Sequence, residues 1–353
     1  MSSLLRESAA GNPGLPSSRI AADLAERPRH RAVAGHDPSI TFTPGDFMFR
    51  YARFRPVQRA TVVAAAVLGA CATLVTAGGG TAAAAGTSAS SSIAARYVAL
   101  GDSYASGYGI DGVENAACDR STSSYPSILR STYKSQSFTS VACSGATTRS
   151  IWNAQGNQAP QIKALKPDTS LVTLTLGGND IGFTQLVITC ASLMQSQPTG
   201  DPCRQNFQKG GEDQILARID ALKPRIASVL TDIKRKSPKA TVALVGYPSL
   251  LPDSGESCRS TQVPFADGDF GYLRNITKRL NSALREQAAK AGAVYVDTYT
   301  PTIGYDMCRA QGRVIEPLFT ADDRVAPAAA HPNLGGSLSM AAIIKKKLDA
   351  LGR

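Results

Sequence analysis

The sequence predicts an α/β domain in which a parallel sheet of five strands is covered by helices on both faces. Three observations predict it. Short apolar runs recur between residues 97 and 296, amphipathic helical repeats lie between them, and two of the runs lead straight into Gly-rich turns. Strands that alternate with helices are joined by crossovers, and crossovers lay helices over both faces of a parallel sheet.

Residues 97–100 form the first strand, which ends in Gly101-Asp102-Ser103-Tyr104; residues 138–142 are a weaker candidate. Residues 171–176 read Leu-Val-Thr-Leu-Thr-Leu and run into Gly177-Gly178-Asn179-Asp180, and residues 241–245 and 293–296 complete the set. Ile215, Leu216, Ile219, Leu222, Ile226, Leu230 and Ile233 fall at helical spacing with Lys and Arg between them, as do Leu273, Ile276, Leu280 and Leu284. A last helix is expected after Gly335 and Gly336. In sheets of this kind ligands bind at the carboxyl ends of the strands, so both Gly-rich turns, with Ser103 and Asn179, can face one crevice.

Of the 353 residues, 43% are apolar and 18% charged, which excludes a chain disordered throughout and an all-apolar bundle. The net charge of +11 does not point to nucleic acid. Before Tyr97 there are 10 Lys and Arg against 5 Asp and Glu, and the rest of the excess is spread through the domain. Its densest run, Lys345, Lys346 and Lys347, reads as a solvated helix face.

Residues 1–47 are Pro-, Arg- and Ser-rich and are expected to be a disordered extension or to precede the true start, Met48. Arg50, Arg53, Arg55 and Arg59 then lead into the apolar run 60–77 and small residues beyond it, the parts of a secretory signal. The run is mostly Ala, Val and Gly, weaker than the roughly 20 strongly apolar residues of a spanning helix. The expected division is therefore a signal at 48–85, a Ser-rich linker at 86–94 and the folded domain at 95–353, with the product secreted. Leu68-Gly69-Ala70-Cys71 resembles a lipoprotein box, and anchoring through Cys71 is the minor alternative.

Six of the seven cysteines fall in the folded part, and an even number in an exported domain reads as three disulfides. Sequential pairing, Cys118 with Cys143, Cys190 with Cys203 and Cys258 with Cys308, needs only short closures. No His, Cys or carboxylate cluster has metal-ligand spacing, so neither metal nor cofactor is expected. Gly101, Gly107 and Gly109 lack the spacing of a phosphate-binding loop. Of three histidines, only His331, in Ala330-His331-Pro332-Asn333, lies in the domain. A serine nucleophile needs a base within hydrogen-bond reach. If the domain uses a serine, that base is His331.

Gly101-Asp102-Ser103-Tyr104, Gly145 in Ala142-Cys143-Ser144-Gly145-Ala146, Gly177-Gly178-Asn179-Asp180 and His331-Pro332 resemble, in order, the four sequence blocks of SGNH (GDSL-type) hydrolases. Over residues 95–350 the chain is similar to secreted actinomycete lipases and esterases. The resemblance implies a flavodoxin-like three-layer αβα fold, with Ser103 as nucleophile and His331 as its base. It also implies an oxyanion hole made by the Ser103 and Gly145 N–H groups and the Asn179 side-chain amide. An exported carboxylic-ester hydrolase acting on fatty acyl esters is expected, a monomer touching lipid surfaces transiently. Polysaccharide deacetylation and phospholipid acyl cleavage stay open within the fold, and an inactive binding module stays open from another class.

Many of these hydrolases carry Asp three residues before the histidine, where it fixes the imidazole tautomer. Here that residue is Ala328. Asp322 or Asp323 can reach back across the loop, or a backbone carbonyl near Ala328 can take the imidazole N–H; the carbonyl is expected. Gly145 leaves its N–H uncovered by a side chain. Asp102 and Asp180 read as acceptors that brace their turns, Trp152 as a half-buried packing residue and Arg149 as a surface residue.

Overall fold

Alternation along the strands builds two apolar layers, one on each side of the sheet. The computed structural model describes residues 93–253 and 258–352. The segments expected to form the extension and the export signal, with Cys71, lie outside them. The sheet comprises β1 (Arg96–Gly101), β2 (Ser137–Ser140), β3 (Leu171–Thr175), β4 (Thr241–Val245) and β5 (Val294–Val296). All pairs are parallel and the order is β2-β1-β3-β4-β5, the flavodoxin-like arrangement. The helices are α1 (Ser103–Ser106), α2 (Tyr125–Tyr133), α3 (Phe183–Met194), α4 (Pro202–Phe207), α5 (Gln214–Lys236), α6 (Asp269–Lys290) and α7 (Leu334–Asp349).

Successive strand side chains point to opposite faces. Val98, Leu100, Val172, Leu174 and Leu244 pack with Ile219, Leu222 and Ile226 of α5 and Ile276 and Leu280 of α6. Tyr97, Ala99, Leu171, Ala243 and Val245 pack instead with Tyr125 and Leu129 of α2 and Met340, Ile344 and Leu348 of α7. Three layers result. The helix expected from the repeat 215–233 begins where Asp213 accepts the N–H groups of Ile215 and Leu216, a side-chain N-cap.

Strand order reverses between β2-β1 and β1-β3, and such a switch point opens a crevice at the strands' carboxyl ends. The turns bearing Ser103 and Asn179 follow β1 and β3 and flank it. Cys118 bonds Cys143, Cys190 bonds Cys203 and Cys258 bonds Cys308. The first of these ties a small ribbon, Val113–Asn115 against Arg120–Ser121, to the turn after β2. No helix among the described residues is long and apolar enough to cross a membrane.

Candidate active site

β1 is followed by Asp102, which caps α1: its Oδ1 accepts the Tyr104 N–H at 3.0 Å and its Oδ2 accepts the Tyr247 hydroxyl at 2.6 Å. The same hydroxyl accepts the Gly178 N–H at 2.7 Å. Tyr247 is itself held at both ends of its backbone unit by Asn281, whose Oδ1 accepts its N–H and whose Nδ2 donates to its carbonyl, each at 2.8 Å. One phenol thus binds the Ser103 turn to the Asn179 turn.

Burial pushes the Asp102 carboxyl up to about 7, against hydrogen bonds from Tyr247 and Tyr104 that favour its charged form. An acid whose pKa is raised on folding stabilises the fold most below its unfolded pKa of about 4, and that contribution is lost as pH climbs through the folded value. Asp102→Asn keeps an acceptor for Tyr104 but cannot ionise. Its Tm, measured relative to the native protein, is expected to rise between about pH 4 and pH 7; a difference flat in pH would show that Asp102 does not titrate there.

The loop before α7 delivers His331. Ala330 N–H donates to Glu316 O at 3.1 Å and Glu316 N–H donates to His331 O at 3.0 Å, clamping the loop to its neighbour. The Tyr104 hydroxyl donates to Ala330 O at 2.7 Å, so the helix that carries Ser103 holds the histidine loop. Gly109 makes the approach feasible: its φ is +75°, and a Cβ there would stand 2.2 Å from Pro327 O. The imidazole packs against the rings of Tyr104 and Tyr108, with centroids 4.9 and 4.7 Å away.

His331 Nε2 lies 2.7 Å from Ser103 Oγ although 228 positions separate them, and Nδ1 lies 2.7 Å from Ala329 O. A carbonyl only accepts, so Nδ1 carries the proton and Nε2 offers its lone pair to the serine hydroxyl. The carboxylates considered for this place are elsewhere. Asp322 is exposed and accepts from Thr320 Oγ1 and Arg324 Nε at 2.6 and 2.7 Å, and Asp323 is exposed on a backbone turn with φ +56°. The carbonyl takes this place for a local reason: Ala330 adopts φ +58°, a left-handed turn that folds the carbonyl of residue 329 back onto the ring of residue 331. Replacing both aspartates by Ala is therefore expected to change kcat by less than about threefold, whereas removing a true orienting carboxylate costs about ten-thousandfold. Steady-state kinetics on a soluble ester decides between them.

Gly145 adopts φ +77°, and a Cβ would meet only Gln155 Nε2 at 3.6 Å, so the backbone conformation and not crowding requires glycine. Among the described residues the N–H groups of Ser103 and Gly145 have no backbone acceptor. Asn179 Nδ2 donates to Ala146 O at 2.9 Å, which fixes the amide's orientation and leaves its second hydrogen for the crevice. Asp180 accepts the Thr148 N–H and hydroxyl, bracing the neighbouring segment onto this turn, while burial raises its pKa. Trp152 is 36% exposed and donates to Asp232 Oδ2 of α5 at 2.7 Å, and Arg149 is exposed.

Residues 99–337, more than half of the chain, match the model of the GDSL-like lipase/acylhydrolase family. The chain belongs to this family. It is similar to Lipase 2 of Streptomyces coelicolor, 37% identical over 72% of this chain and 85% of that protein. It is also similar to an esterase of Streptomyces scabiei, 30% identical over 84% of this chain and 96% of the relative. Among solved structures, phospholipase A1 from Streptomyces albidoflavus superposes with a TM-score of 0.59 at 27% identity, covering 72% of this chain and 99% of that one. The extracellular lipase of Streptomyces rimosus gives 0.56 at 26%, covering 72% and 100%. Membership makes the protein a carboxylic ester hydrolase.

Two cavities of this GDSL-family hydrolase meet at Ser103, Asn179 and His331. One, narrow, runs inward between Leu250, Ile276 and Leu280. The other is a wider groove bordered by Tyr108, Gly145, Ile188 and Leu318. Trp152 and Arg149 line neither. Sequence reasoning missed Tyr104 and Tyr247 as the ties between turns. A signal existed for Tyr247, which directly follows the run 241–245 and Gly246, at the end of a strand where ligand-facing residues collect.

Proposed function

We propose that this GDSL-family hydrolase is exported and cleaves fatty acyl esters through an acyl-enzyme on Ser103. The observation that carries the reading is the Ser103–His331 hydrogen bond at the mouth of an inward cavity walled by Leu250, Ile276 and Leu280. Such a cavity suits an acyl chain, and the groove on the other side of Ser103 suits the alcohol. Ser103 Oγ attacks the ester carbonyl carbon as its proton passes to His331 Nε2. The resulting oxyanion lies against the Ser103 and Gly145 N–H groups and Asn179 Nδ2, donors fixed before reaction. Collapse breaks the bond to the alcohol oxygen, which takes the proton from Nε2. Water then attacks the acyl-enzyme by the same route, and the fatty acid leaves. Ala329 O keeps the reactive tautomer throughout.

Export, with residues 48–85 as the signal, is supported by three disulfides in the described domain and by the solved relative described as an extracellular lipase. The solved relative described as a phospholipase A1 supports placing phospholipid acyl esters within the substrate class. Rates on p-nitrophenyl esters from acetate upward, with Ser103→Ala as the blank, test the reading. A chain-length optimum beyond acetate and labelling of Ser103 by a fluorophosphonate are expected. An optimum at acetate would assign the enzyme to deacetylation, and absence of labelling would leave only a binding module.

A further inference from the structure

Behind the inward cavity lies a second, small apolar void, with walls that include Val187, Leu251, Phe265, Leu273 and Met307. The two share Phe183, Leu250 and Thr277 as their common wall. Leu250 and Thr277 are fixed. Leu250 is buried in the core, and Thr277 sits inside α6 with its hydroxyl donating to Leu273 O at 3.2 Å. Phe183 differs from both. It is the first residue of α3, is half-buried, and alone among the described residues lines the inward cavity, the rear void and the open groove. The size of this ring therefore decides whether the two inner spaces connect, because the close-packed Leu250 and Thr277 on either side of it cannot give way.

We infer that Phe183 sets the acyl-chain length, acting as the partition that ends the acyl site at the inward cavity and withholds the rear void from longer chains. The inference rests on the acyl-enzyme reading and names the substrate within it: esters of short and medium fatty acids, with longer chains admitted only when the ring is removed. Every residue added to the site by opening the partition is apolar, so each further methylene that enters leaves water for a hydrocarbon surface.

The test is kcat/KM on p-nitrophenyl butyrate, octanoate, dodecanoate and palmitate for the native protein, Phe183→Ala, Phe183→Leu and the double variant Phe183→Ala with Met307→Phe. In the native protein the rate constant is expected to fall beyond octanoate. Phe183→Ala is expected to raise the dodecanoate-to-butyrate ratio by at least about tenfold, the return from burying two further methylenes. Phe183→Leu should move it in the same direction by less. Met307→Phe, which refills the rear void from its far side, should take most of the gain away. A ratio within about twofold of native in both single variants, or a gain that survives Met307→Phe, overturns the inference; circular dichroism confirms that the variants compared are folded, and Phe183→Leu decides if Phe183→Ala is not. A native protein that turns over none of the esters overturns the underlying ester-hydrolase reading as well, whereas native turnover with an unmoved profile overturns only the partition.

Discussion

His331→Ala is expected to lower kcat on a soluble ester by about ten-thousandfold to a millionfold, with Ser103→Ala just as severe and the double variant no worse than either. The non-additivity is the informative part. The hydroxyl is a weak nucleophile unless a base takes its proton, and among the described residues the group placed 2.7 Å from Ser103 Oγ to do so is His331 Nε2. Once either partner is gone, the other has nothing left to contribute. Fluorophosphonate labelling should vanish with the histidine as it does with the serine, because it reads the same activated oxygen. If instead the two losses multiplied in the double variant, Ser103 and His331 would be acting separately, and the proton path through Nε2 would be wrong.

Asn179→Ala is expected to cost about a hundredfold to a thousandfold in kcat, with KM little changed. The bond from Nδ2 to Ala146 O determines which hydrogen does what: one secures the amide, the other remains for charge that develops during reaction. A donor aimed at the oxyanion and not at the ground-state carbonyl lowers the barrier without tightening substrate binding. Asn179→Asp should be worse than Ala. It sets a carboxylate against Ala146 O and brings negative charge to the place where the oxyanion forms. Steady-state kinetics separates these outcomes, since a loss confined to KM would make Asn179 a binding contact only.

The fold was legible because its signals are local. Each of the five strands appears within two residues of its expected bounds at either end, since a run of apolar residues ending in a Gly-rich turn has few other solutions. The long helices α5 and α6 were equally plain from their spacing. The short helices α2, α3 and α4 were not, because nine, twelve and six residues hold too few turns for a periodic stripe to stand out. Even strand order followed only from family resemblance, as periodicity says nothing about which strands are neighbours.

In the site, the sequence by itself marked the candidate groups: a serine and an asparagine at strand ends, and a single histidine in the domain as the base such a serine would need. What it left open was the partner of the imidazole. Asp322 and Asp323 needed the loop to fold back over eight or nine positions, whereas a carbonyl near Ala328 was at hand and was expected; which carbonyl it is, Ala329 O, was decided by the left-handed turn at Ala330. The ties through Tyr104 and Tyr247, and the Phe183 wall shared by three cavities, also belong to tertiary structure alone. The physical reason is the same in each case. Residue type and spacing specify what chemistry a group can do, while a hydrogen bond or a cavity wall depends on tenths of an ångström between segments that meet only when the chain is folded.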